Sequence, residues 1–252
     1  MSIHQHLDRG SCQLERCGAR PFRRARGSRR TAAGPVAAAG PAAAAVILTA
    51  LMALAAMAVG AAGCRRAPPN LDSPGTAVVC LGDSITAGAG ASDGHGYPEV
   101  LAARLGVAVI DDGVPGDTAA AGLARLPQVL AQDPWLVIVE LGGNDILRQV
   151  PAESTEEALD GIVRQLLAAR VLPVLVAVAG PFGGGSHGAI YARLGKRYRV
   201  PVVQDVLRRI LFDPTLKADE VHPNDLGHAR LAEAVAATVE PLLRQHRRLR
   251  GR

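Results

Sequence analysis

Four short blocks hold residue types that could do chemistry together. They are Gly82-Asp83-Ser84-Ile85-Thr86, Gly113-Val114-Pro115-Gly116-Asp117-Thr118, Gly142-Gly143-Asn144-Asp145 and Asp219-Glu220-Val221-His222-Pro223-Asn224. Ser84 offers a hydroxyl, a weak nucleophile until a base takes its proton. His222 offers that base, and Asp219, three residues ahead, can orient the imidazole and stabilise its charged form. Attack on a carbonyl builds negative charge on oxygen, and fixed donors must meet that charge. The backbone N–H groups of Ser84 and Gly116 and the side-chain amide of Asn144 are the candidates. Glycine at 116 lets the backbone come close to a ligand. Ser84, Asp219 and His222 are thus candidate catalytic residues, and Ser84, Gly116 and Asn144 a candidate oxyanion hole.

Such groups work only if the fold gathers them. Short apolar runs recur after Pro74: Ala77–Leu81, Val107–Ile110, Leu136–Leu141, Val174–Val178 and Val200–Val203. Continuous runs of this length read as buried parallel strands. Between them lie helix-like stretches over Pro98–Leu105, Thr118–Leu130 and Tyr191–Arg199, and a last one over Leu226–Arg244. A further helix is predicted to begin at Ser154, where Ser154-Thr155-Glu156-Glu157 reads as a capping box. Leu159, Ile162, Val163, Leu166 and Leu167 form its apolar stripe. The alternation predicts an α/β domain whose parallel sheet is covered on both faces by right-handed crossovers. Ligands in such folds sit outside the carboxyl ends of the strands. The first three chemical blocks each follow a strand and so share that edge. The loops Thr86–Gly96 and Phe182–Tyr191 are expected to wall the cleft.

Composition narrows the function classes. Apolar residues make up 48% and charged residues 20%, too apolar and too weakly charged for a disordered chain. The net charge of +5 would suit a nucleic-acid binder, but it is concentrated at the front. Residues 1–30 carry eight of the 28 basic and two of the 23 acidic residues, which leaves 20 against 21, a net of −1. A near-neutral body offers no footprint for a phosphate backbone, so no nucleic-acid partner is expected. The four cysteines lack disulfide-scaffold density or zinc spacing, and no His/Cys/Asp cluster has metal spacing. No cofactor loop is found either, because the third glycine of a dinucleotide motif after Gly88 and Gly90 would fall on Asp93.

From Ala42 to Gly63 the chain is uncharged and alanine-rich, with Arg29 and Arg30 ahead of it. Basic residues, an apolar stretch and small residues form an export signal. Ala61-Ala62-Gly63-Cys64 resembles a bacterial lipobox, in which the cysteine becomes lipid-modified; a plain signal, an uncleaved membrane anchor and an unrelated low-complexity extension are the alternatives. The expected organisation is a leader over 1–64, a flexible tether over 65–75, the body over 76–244 and a basic tail over 245–252. The body is expected outside the cytoplasm, periplasmic or at the cell surface, anchored through its N-terminus and monomeric.

The four blocks together resemble the SGNH, or GDSL, hydrolase family. The stretches Gly116-Asp117-Thr118…Gly122-Leu123-Ala124-Arg125-Leu126-Pro127 and Glu140-Leu141-Gly142-Gly143-Asn144-Asp145 are similar to its bacterial thioesterase I/arylesterase branch. The resemblance covers about residues 76–243. It implies a three-layer αβα sandwich with a five-stranded parallel sheet, a Ser84–His222–Asp219 triad and an oxyanion hole from Ser84, Gly116 and Asn144. It also implies hydrolysis of aryl, short-chain or lysophospholipid-type esters, and of acyl thioesters, through an acyl-serine and without cofactor. A carbohydrate O-acetyl esterase of the envelope, or a non-catalytic envelope lipoprotein, is the alternative. Asp83 and Asp145 read as turn braces, His228 as structural, His95 and His187 as solvated loop residues, Trp135 as a packing residue and Cys80 as core.

Overall fold

Three of the apolar runs become strands buried on both faces. In the computed structural model, which describes residues 67–178 and 186–251, these are β1 (Ala77–Gly82), β3 (Pro134–Glu140) and β4 (Leu172–Val176). Their branched side chains fill the space between two helical layers. The edges are β2 (Val109–Gly113), partly solvated, and the two-residue β5 (Val202–Val203). All pairings are parallel, in the order β2-β1-β3-β4-β5.

That order decides where the helices go. The chain moves outward from β1 to β2, then reverses to β3 on the other side of β1. A right-handed crossover changes face when its direction reverses. Helix α1 (Tyr97–Leu105) therefore covers one face. Helices α2 (Ala119–Ala124), α3 (Leu126–Leu130), α4 (Gly143–Leu147), α5 (Ala152–Ala168) and α6 (Ser186–Tyr198) serve the crossovers toward the other. After β5 come α7 (Val206–Phe212) and α8 (Asp225–Arg250), and α8 packs back against α1 while α5 packs on α2 and α6. The result is the predicted α/β architecture. The reversal opens a crevice between β1 and β3 at their carboxyl ends.

Several local readings are corrected. The helix expected over Thr118–Leu130 is broken at Arg125, where Pro127 starts a second helix. Arg125 turns inward to pair with Asp112 and Asp117 and donates Nη2 to the carbonyl of Gly82 at 2.9 Å. The capping box is not formed: α5 begins two residues earlier, behind Pro151, and Thr155 Oγ1 donates to Asp145 Oδ1 at 3.1 Å. Strand β2 begins two residues later than its apolar run and ends three residues later, at Gly113, because an edge strand with a wet face tolerates Asp111 and Asp112. The expected tether is folded from its middle onward. Asn70 Nδ2 donates to Leu167 O and Val171 O at 3.0 and 3.1 Å, closing the end of α5, and Leu71 is buried. The expected basic tail belongs to α8, which continues to Arg250. His246 is buried there, stacked on Trp135 at 4.1 Å between ring centroids, and its Nδ1 donates to Leu71 O at 2.9 Å.

His246→Ala should therefore lower the unfolding free energy by about 1–3 kcal/mol, the scale of a buried hydrogen bond plus a ring stack. Urea titration measures this, and an unchanged midpoint would mean that residues 245–252 behave as a tail after all.

Candidate active site

The carboxyl end of β1 delivers Ser84. Just after the strand, Asp83 is 3% exposed and its Oδ1 accepts the N–H of Ile85 at 3.0 Å, which turns the chain sharply. The side chain of Ser84 faces the loop before α8. There a small antiparallel bridge joins Lys217 to Pro223, and Ala218 N–H donates to His222 O at 2.9 Å. This curl places His222 Nε2 3.0 Å from Ser84 Oγ. Asp219 Oδ2 lies 2.8 Å from His222 Nδ1, and Asp219 Oδ1 accepts the N–H groups of Val221 and His222 at 2.8 and 2.9 Å. With Nδ1–H donating to the carboxylate, Nε2 presents its lone pair to the hydroxyl. Gly90 permits the approach of the two loops: a Cβ there would stand 2.2 Å from Pro223 O.

The imidazole bond and the two backbone N–H groups hold the Asp219 carboxyl below its ordinary range. It therefore stays ionised at neutral pH.

The candidate oxyanion donors converge on the same place. Ser84, Gly116 and Asn144 all line one cleft of about 340 Å³ with His222. Among the described residues the backbone N–H groups of Ser84 and Gly116 have no protein acceptor. Gly116 holds φ +87°, a conformation that strains any side chain, and Arg148 Nη2 donates to its carbonyl at 2.8 Å. Asn144 Nδ2 donates to Asp83 Oδ2 at 3.1 Å and to Asp117 O at 3.0 Å. Both amide protons are thus engaged, and one must be released to reach a ligand oxygen. Behind the loop that carries Gly116, Arg125 ties Asp112 and Asp117 to the end of β1.

The cleft is otherwise apolar. Ile146 and Leu147 come from α4, Leu207 and Leu211 from α7, and Val178 and Val221 complete the wall. The expected wall differs: no residue of Thr86–Gly96 lines this cleft, because that loop is drawn away to α8. His228 Nδ1 accepts Tyr97 N–H at 3.2 Å, its Nε2 donates to Ala89 O at 3.0 Å, and Asp225 accepts the hydroxyl of Ser92 at 2.7 Å. His228 is thereby structural and neutral, its pKa lowered by burial. Residues 182–185 of the other expected wall, like the leader and Cys64, lie outside the described residues, and its remainder, residues 186–191, does not line the cleft either. His187 is not simply solvated, since its Nε2 donates to Val150 O at 3.1 Å. The apolar wall from α4 and α7 was missed in the sequence. The pair spacing of Val206-Leu207 and Ile210-Leu211 is a helical signal that could have found half of it.

A larger cleft, about 410 Å³, opens at the opposite end of the sheet around Trp135 and Arg247; no serine or cysteine lines it, and it lies far from the residues above. Among the described residues no group of three or more His, Cys, Asp and Glu side chains is placed to hold a metal ion. No described helix is long and apolar enough to cross a membrane.

Residues 80–230 match the model of the GDSL-like lipase/acylhydrolase family. The chain is 33% identical to the thioesterase 1/protease 1/lysophospholipase L1 of Escherichia coli, over 66% of this chain and 84% of that one. It is 30% identical to an arylesterase of Vibrio mimicus, over 63% and 86%. The crystal structure of TesA superposes with a TM-score of 0.62 at 30% identity, covering 66% of this chain and 99% of that one.

An already ionised Asp219 has a consequence for pH. Asp219, held below its ordinary range, should contribute nothing to the acid limb of kcat/KM, which should have a one-proton slope. Asp219→Asn should lower kcat/KM by about 100-fold or more, through the wrong tautomer and an unbalanced imidazolium. An acid limb with a two-proton slope, or an Asp219→Asn enzyme of unchanged rate, would break this reading of the dyad.

Proposed function

Because the chain belongs to the GDSL-like lipase/acylhydrolase family, it is an SGNH-type ester hydrolase, and we propose that Ser84 is its nucleophile, His222 its general base and Asp219 the group that orients His222. The observation that carries the assignment is the run of contacts from Ser84 Oγ to His222 Nε2 and from His222 Nδ1 to Asp219, at 3.0 and 2.8 Å, at the mouth of an apolar cleft.

Ser84 Oγ attacks the ester carbonyl carbon while its proton passes to His222 Nε2. The carbonyl oxygen becomes an oxyanion held by the N–H groups of Ser84 and Gly116 and by the Asn144 amide, which exchanges its bond to Asp117 O for the new acceptor. Such a donor is typically worth about 3–4 kcal/mol of barrier. As the intermediate collapses, His222 gives the proton to the departing alkoxide or thiolate and the acyl group stays on Ser84. Water then attacks the acyl-serine, its proton passes to His222, and the proton returns to Ser84 Oγ as the acid leaves.

The substrate class follows from the walls. Leucine and isoleucine side chains around about 340 Å³ suit an acyl chain or an aryl group, and they leave a sugar's hydroxyls without partners. We therefore favour aryl, short-chain or lysophospholipid-type esters, with acyl thioesters as a second leaving-group class, over acetylated glycans. The leader suggests where the enzyme works: outside the cytoplasm, held to a membrane through a lipid on Cys64.

A fluorophosphonate probe should label the wild type and fail to label Ser84→Ala. p-Nitrophenyl esters of rising chain length should be hydrolysed faster than an acetylated glycan; release of acetate from the glycan alone would sink the acyl-pocket reading, and an unlabelled wild type the whole assignment. For attachment, Cys64→Ala should move the protein from the membrane to the soluble fraction. Continued retention would point to the apolar segment as an uncleaved anchor.

A further inference from the structure

One fully buried carboxyl has no part in the chemistry above. Glu140 ends β3 with a relative exposure of 0%, and Asp83, next to Ser84, is nearly as deep at 3%. No described Lys or Arg pairs with either carboxyl; Arg125, the partly buried arginine at this edge, is taken by Asp112 and Asp117. Two adjacent buried carboxylates with no cation would be very costly, so the pair must retain a proton.

The hydrogen bonds say where that proton sits. Glu140 Oε2 accepts the hydroxyl proton of Thr86 at 3.0 Å. The Thr86 proton is then spent, so Tyr97 OH, 3.1 Å away, must donate to Thr86 Oγ1. Glu140 Oε1, by contrast, makes no hydrogen bond of ordinary geometry with any N–H or O–H of the described residues. An oxygen buried without a donor makes sense if it is itself the donor. Asp83 is the carboxyl that interacts with the Glu140 carboxyl, its backbone N–H approaches the same group, and Asp83 Oδ2 also accepts from Asn144 Nδ2 at 3.1 Å.

We propose that Glu140 is a positioning residue in its protonated form: its acid O–H donates to the Asp83 carboxylate, which in turn holds the Asn144 amide toward the oxyanion position. The chain of donors then runs in one direction on each side of Glu140, from Tyr97 through Thr86 into Oε2, and from Oε1 out to Asp83. The groups facing this carboxyl do not supply a cation. They are Cys80 on β1, Tyr97 on α1, Tyr191 on α6, and Asp83 itself. Burial first, and the Asp83 charge second, push the Glu140 acid well above the ordinary range, in agreement with that geometry. His222 is the cation nearest in effect, and it acts on Asp83 when protonated.

The inference rests on the hydrolase reading for its kinetics but not for its protonation state, so the two can fail separately. Glu140→Gln keeps a donor toward Asp83 and an acceptor for Thr86, whereas Glu140→Leu removes both at similar volume. On a p-nitrophenyl ester the Gln enzyme should keep kcat within about threefold, while the Leu enzyme should lose roughly 100-fold in kcat at unchanged KM, the scale of a misplaced oxyanion donor. In infrared spectra near pH 8 the wild type should show a protonated-carboxyl C=O band that is lost in Glu140→Gln. A Gln enzyme as impaired as the Leu enzyme, a Leu enzyme with wild-type kcat, a loss confined to KM, or no acid band in the wild type would each overturn the proposal. Should the Leu variant fail to fold, the band and the Gln kinetics decide alone. A wild type that turns over no ester would instead remove the functional reading and leave the infrared result standing.

Discussion

The hydrogen bond between Ser84 and His222 joins residues 138 apart in sequence, and much of the molecule exists to make it possible. Ser84 is held by the buried end of β1. His222 is held by a loop whose place depends on α8 lying along α1. That packing has its own polar locks. Ser92 grips Asp225 at the start of α8, and His228 bridges Tyr97 and Ala89. The residues after Ser84 thus reach forward to the helix that follows His222. Ser84 and His222 are tied by the same few contacts, which is why the cleft wall lies elsewhere.

The polar design behind the site is lopsided. On one side Arg125 gathers Asp112, Asp117 and the end of β1, a paired charge that firms the loop presenting Gly116. Its guanidinium is pulled down by partial burial, yet it keeps two carboxylate partners. On the other side Asp83 and Glu140 are buried with no described Lys or Arg paired to either. Asp145 shows a third solution: its carboxylate accepts the first N–H of α2 and the Thr155 hydroxyl, so dipoles stand in for a counter-charge. Three acidic environments within one strand edge are managed by a cation, by dipoles and by a shared proton. Only the last leaves a site oxygen without a donor.

Much of this was legible in the sequence, for physical reasons. Strands buried on both faces must be continuously apolar, so β1, β3 and β4 stood out. Chemical blocks that follow strands must share an edge, so Ser84, Gly116 and Asn144 could be gathered without coordinates; His222 and Asp219 were joined to them by chemical complementarity. Most of what failed was decided by contacts distant in sequence. Val109–Gly113 is a strand because Val78 and its neighbours pair with it, although half of it is polar. Ser154 and Glu157 match a capping motif, but Pro151 starts the helix sooner. Asn70 and His246 lie in polar, arginine-rich or proline-rich stretches that read as tether and tail. Each finds its partner across the fold, in Leu167 and Val171 for one and Leu71 for the other.

The same contrast separates chemistry from selectivity. The reacting groups stand on turns that leave a strand or curl before a helix, where one hydrogen bond or one glycine fixes the backbone. The cleft wall comes from α4 and α7, of five and seven residues, which place leucines and an isoleucine where little but their volume matters. Leu147 is still 59% exposed, so the wall is open on that side and an apolar ligand group would complete it. Apolar side chains of similar size exchange there at small cost to the fold, whereas Gly90 or Gly116 admits no such exchange. A chain of this architecture can therefore keep one site geometry while the shape of its apolar wall drifts. Its short helices are where a change of substrate would first be written.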